Sequence, residues 1–100
     1  MIRTTLATTA LMISLTVSAS AQDKDAECRK IGNIATNIMS ERQNGTTARR
    51  AERRVVRAIP NKSQNDEVLA VQLVAWIYSL PEDQLTPEVS TMLYETCLSQ

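Results

Sequence analysis

The chain has 100 residues, enough for one small domain, and its 11 basic and 11 acidic side chains balance to zero net charge. It contains no histidine, which excludes His-based triads, His-ligated metals and histidine pH switching. So even a charge balance also argues against a general nucleic-acid binder.

In chain order, the first segment reads as an export signal. Met1-Ile2-Arg3 gives a short positive start, and Leu6 to Val17 is an uncharged run of apolar, Thr, Ser and Ala residues. Ala19-Ser20-Ala21 then places small residues where a signal peptidase cuts. The run is too short and too rich in Thr for a transmembrane span, which takes ~20 mostly apolar residues. No Cys follows the cleavage site to carry a lipid. The rival reading is an ordinary N-terminal helix. The expected organisation is a signal peptide over residues 1–21 and one helical domain over 22–100. Removal of Arg3 leaves the mature chain with one more acidic than basic residue.

A domain this small commonly needs a covalent staple. The two cysteines, Cys28 and Cys97, lie near the two ends of the mature chain. In an oxidising compartment only one intramolecular pairing is open to them. Two free or intermolecular thiols are the alternative.

Four helical segments follow. Over 23–43, Cys28, Ile31, Ile34, Ala35, Ile38 and Met39 recur at helical spacing. Asp23, Asp25 and Glu27 crowd the expected start, where the helix dipole favours negative charge. Asn44-Gly45 is the expected stop. The second segment, 47–59, is capped by Thr46 or Thr47, carries an apolar stripe of Ala48, Ala51, Val55, Ala58 and Ile59, and ends at Pro60. The third, 66–80, opens with Asp66 and Glu67 behind Ser63 or Asn65 as caps. It is apolar nearly all round, which predicts a buried helix, and its Val-rich first half would also suit a strand. Pro81 ends it. The fourth, 86–98, is expected to begin with Thr86 as cap, Pro87 and Glu88. Its stripe comprises Val89, Met92, Leu93, Thr96 and Cys97. Both cysteines therefore fall on core-facing stripes, at ends that an antiparallel bundle brings together. The predicted fold is an all-α bundle of about four short helices with one disulfide.

The unusual feature is Arg49, Arg50, Arg53, Arg54 and Arg57 on the second segment. At helical pitch the five fall within an arc of about 140°, roughly opposite the apolar stripe. Such a face suits a lipid headgroup, an acidic partner or a phosphate-bearing polymer, because the guanidinium fork pairs two oxygens at once. The bland alternative is a solvated face, partly paired with Glu52 and with acids from other helices. Trp76 and Tyr78 are expected in the core, with Trp76 as a partner anchor the alternative. Tyr94 is expected to cover the disulfide.

No catalytic constellation is visible. Glu82 and Asp83 share a turn, but a carboxylate pair needs a pocket that separates the two pKa values. The hydroxyl residues have no activating base, with Lys24, Lys30 and Lys62 the only lysines. No cofactor and no metal are expected.

Cys28, the helix end Glu41-Arg42-Gln43-Asn44-Gly45, Leu73-Val74 with Tyr78 and Pro81, and Cys97 behind an aromatic residue together resemble a group of proteins. These are small exported proteins encoded by phages and prophages of Gram-negative bacteria. The chain departs from that pattern at Ile77, where the pattern has Ala, and in its arginine-rich second helix. The resemblance implies a periplasmic location, a helical disulfide-linked domain and a phage or host-envelope context, with no activity to carry over. The expected function is a non-enzymatic periplasmic interaction protein, monomer or homodimer, binding a protein or anionic envelope component through the arginine face. The alternative is a small periplasmic stress chaperone, loosened by acid to expose 68–80.

Overall fold

The computed structural model describes residues 16–100, with side chains described from Ala21 onward. Most of the expected signal peptide lies outside the described residues. Helix α1 spans Thr16–Gln43, α2 Ala48–Ala58, α3 Gln64–Ser79 and α4 Glu88–Leu98, with a 3-10 turn at Glu82–Gln84 before α4. Among the described residues there is no strand, so the Val-rich start of α3 is helical. The all-α bundle follows from the sequence as expected.

Each boundary has a local cause. α1 ends in a Schellman motif: the Thr46 amide donates to the Glu41 carbonyl at 2.9 Å and the Gly45 amide to that of Arg42 at 3.0 Å. Gly45 supplies the required left-handed residue, with φ at 81°. The Thr47 hydroxyl caps α2 by accepting from the Arg50 amide at 3.4 Å. Ser63 and Asp66 form a reciprocal capping box on α3, with bonds of 3.1 Å and 3.0 Å.

Two expected starts are corrected. α1 runs back to Thr16, so Asp23, Asp25 and Glu27 sit inside the helix rather than at its first turn. α4 starts at Glu88 behind Pro87, with no side-chain cap. Thr86 contributes its backbone carbonyl, which accepts from the Val89 amide at 3.0 Å.

The helices run up, down, up and down. α1 lies at the centre, packed against α2, α3 and α4, while α2 also packs on α3. Ties from α1 to α4 descend as those from α1 to α3 ascend. Asp25 pairs with Tyr94 and Thr36 with Ser90, whereas Lys30 reaches Asp66 and Arg42 reaches the Ile77 carbonyl. α4 is therefore antiparallel to α1 and α3 is parallel to it. The core is Ile34, Ala35, Ile38 and Met39 of α1 against Val55, Ile59, Ala70, Leu73, Val74, Ile77 and Val89. Cys28 is fully buried and bonded to Cys97, with their Cα atoms 5.4 Å apart. The intramolecular pairing is the one formed.

Three burial expectations fail. Ala48 and Ala58 are exposed beside the α2 stripe, and Met92 and Thr96 are exposed on α4. α3 is not buried all round: Val68, Val71 and Trp76 are 51%, 39% and 37% exposed. Only α1 and α2 pack extensively on α3, so its outer side faces solvent.

Candidate functional site: the arginine face of α2

α2 is a short amphipathic helix whose phase is set by Ala51 and Val55, both buried. Turning those two inward sends Arg49, Arg50, Arg53, Arg54 and Arg57 outward, and all five are exposed. The predicted arginine face is present as a continuous surface. One member is engaged: Arg54 lies 3.3 Å from the Glu41 carboxylate, which also accepts from the Thr46 hydroxyl at 2.7 Å. Among the described residues, Arg49, Arg50, Arg53 and Arg57 have no acidic partner within ion-pairing distance. Four unpaired guanidiniums on three turns repel one another and create a positive field. That arrangement is chemically suited to oxygen anions, each fork reaching two oxygens. Its apolar contribution is small, since only Ala48 and Ala58 lie exposed beside it.

The motif around Arg42 has a different role. The Arg42 guanidinium donates to the Ile77 carbonyl at the end of α3, where the helix dipole is negative. It also lies 5.9 Å from the Tyr78 ring centre. The Tyr78 hydroxyl donates back to the Thr46 carbonyl at 2.6 Å. Burial holds that hydroxyl above its usual pKa. These residues clasp the α1–α2 turn to the end of α3, so the Arg-Gln-Asn-Gly and Tyr signals are architectural.

Two further polar clusters tie helices together. The Asp66 carboxylate accepts from the Ser63 amide at 3.0 Å and from Lys30 at 3.1 Å. The Ser63 amide first, and Lys30 second, hold its pKa below the usual carboxylate range. Lys30 is raised in turn by Asp66. The Asp25 carboxylate accepts from the Tyr94 hydroxyl and from Arg29, which lower its pKa in that order. Tyr94 is thus a link from α4 to α1, one helical turn before the bonded Cys97. α1 and α4 approach closely at Gly32, where an added Cβ would lie 3.4 Å from the Ser90 carbonyl oxygen.

Trp76 is the residue whose setting the sequence misstates. It is exposed and lines a cleft of about 440 Å³ with Leu80, Asp83, Thr86, Val89 and Met92. Glu82 and Asp83 lie in the 3-10 turn, and Asp83 reaches the rim of that cleft. The signal that could have found this surface is the charge order along the chain: no Lys or Arg follows Lys62. Among the described residues, no group of three or more acidic or cysteine side chains is placed to hold a metal ion. No described helix is long and apolar enough to cross a membrane.

No protein-family model, curated protein or solved structure matches the chain. The class defined by fold and surface is a four-helix, single-disulfide domain that displays a helix of exposed arginines.

Proposed function

We propose that the protein is an exported, periplasmic binding protein, without catalytic activity, that engages an anionic partner of the cell envelope through the outward face of α2. The observation that carries this reading is the set of four exposed guanidiniums without acidic partners. Glu52 is the one acid of α2 and forms no ion pair among the described residues, whereas a helix selected only for solubility would balance the arginines with more acids or pair them at i,i+4 spacing. The disulfide is in keeping with an oxidising compartment. Cleavage after Ala21 would shorten α1 to its packed part and leave Asp23 and Asp25 in a new first turn, where the dipole favours them.

Crosslinking in cells tests the reading, comparing the native chain with one carrying Arg49→Glu, Arg53→Glu and Arg57→Glu. One dominant partner, lost in the reversed variant, is expected. Many weak partners, equal in both, would remove the arginine face from the account. The intact mass of the recovered protein, read with and without reductant, checks the cleavage and the disulfide.

A second reading, a stress chaperone, draws on Val68, Val71 and Trp76 at the surface and on the acid-sensitive Asp66 clasp that seats α3. It predicts that the protein suppresses aggregation of unrelated clients at pH 3 and not at pH 7. Absence of suppression at pH 3 removes it.

A further inference from the structure

The chain is divided by charge. Residues 63–100 carry six acids (Asp66, Glu67, Glu82, Asp83, Glu88 and Glu95) and not one Lys or Arg. This acidic half contains the Trp76 cleft. The cleft is lined by the apolar Trp76, Leu80, Val89 and Met92 and by the acids Asp83 and Glu88. Trp76 and Met92 are 37% and 49% exposed. Among the described residues, neither Asp83 nor Glu88 has a cationic partner within ion-pairing distance. The first-turn position of Glu88 on α4 is explained by the helix dipole. The dipole does not explain why the same cleft exposes the chain's only Trp and a methionine.

An aromatic face, two carboxylates and an apolar floor are the three elements that hold a long basic side chain. The ring face attracts the cation, the carboxylates accept from it, and the aliphatic stem lies on the apolar wall. A purely apolar partner would leave two carboxylates desolvated and unpaired, which is costly. A simple inorganic cation would gain nothing from Leu80, Val89 and Met92. From this complementarity we infer that the Trp76 cleft receives an arginine or lysine side chain of a basic, amphipathic segment of a partner polypeptide. It is a second binding surface, opposite in charge to α2 and independent of the anionic partner proposed for it. The cleft is built from the end of α3, the 3-10 turn and α4, and the arginines stand on α2, so the two surfaces belong to different elements.

Trp76, as the sole tryptophan, reports its own occupancy. The oxidised protein is titrated with a blocked helical peptide that presents Leu and Arg on one face and contains no Trp. The comparator replaces each Arg with citrulline, which keeps the shape and removes the charge. The expected result is a saturable blue shift of Trp76 emission with the Arg peptide and none with the citrulline peptide. Asp83→Asn with Glu88→Gln should weaken binding about tenfold or more, as loss of two charge-assisted contacts implies. Glu67→Gln with Glu95→Gln removes the same net charge away from the cleft and should leave the affinity within about threefold. Equal weakening by the two double variants would show diffuse attraction and overturn the assignment, as would absence of any saturable shift. A blue shift on concentrating the protein alone, abolished by Arg49→Glu with Arg53→Glu, would make a second copy the occupant and overturn the foreign partner.

Discussion

Reduction of the Cys28–Cys97 bond gives the largest stability change expected of this domain. The bond closes a loop of 69 positions. Constraint of the unfolded chain by a loop of that length is worth about 4 kcal/mol at room temperature. A folded chain of this size has a total stability of about 4 to 12 kcal/mol. The bond therefore supplies between a third of the stability and nearly all of it. With a guanidinium slope of roughly 2 to 4 kcal/mol per molar, the unfolding midpoint should fall by about 1 to 2 M on reduction. The slope itself should rise, because the reduced unfolded chain exposes more surface. The assay is far-UV circular dichroism against denaturant, with and without a thiol reductant at pH 7. Reduction is preferred to substitution because Cys28 is fully buried, and Cys28→Ser would add a buried hydroxyl to the effect measured. A midpoint shift below about 0.25 M at constant slope would contradict this expectation, since it corresponds to at most ~1 kcal/mol.

Asp66→Ala removes one half of the α3 capping box and the Lys30 contact with it, and should cost about 1 kcal/mol or more by denaturant melt. Both Asp66 and Asp25 have folded pKa values below the ordinary value. Their contribution is complete above the unfolded value of about 3.9 and is lost as pH falls through the lower folded values. Stability should thus be flat from these groups between pH 5 and 8 and should decline below about pH 4; a decline centred near pH 6 would contradict the assignment. Tyr78→Phe deletes the bond to the Thr46 carbonyl and should cost about 1 kcal/mol. Because the Tyr78 pKa is raised, its contribution is present below about pH 10 and lost as pH rises through the folded value, a loss the Phe variant should lack. Gly32→Leu should drive α1 from α4 at Ser90 and Tyr94, costing about 1 to 3 kcal/mol, measured by the same melt.

The helices were legible because their signals are local. Gly45, Thr47 with the arginines behind it, the Ser63–Asp66 box and Pro81 each act within one turn of the chain. The phase of α1 was legible because its apolar residues alternate clearly with Asn33, Asn37 and Ser40. α3 gave no such contrast. Its near-uniform apolarity carries no phase, so the exposed side of Trp76 and Val68 is decided by which helices pack against it. Met92 fails for the same reason, since it faces the open cleft beside α3. The start of α1 was misplaced because acidic residues favour a first turn but do not prevent a helix from continuing upstream.

The candidate arginine face was readable because five long charged side chains on one arc cannot enter a core built from Ala51 and Val55. The Trp76 cleft was not, because it opens between the end of α3 and the start of α4, and which other helix covers that junction is decided by packing alone. The Arg42 and Tyr78 signals were visible, yet their purpose was not. Only the tertiary arrangement reveals that they tie one helix end to another.

Site-specific photocrosslinking in living cells shows whether the outward face of α2 touches a partner. A photoreactive residue replaces Arg50 on the outward face of α2 in one chain and Glu95 on α4 in another. One discrete heavier adduct is expected from position 50, absent from position 95 and lost when Arg49→Glu and Arg53→Glu are added. No adduct from position 50, or the same adduct from both positions, would contradict an arginine-face binding protein.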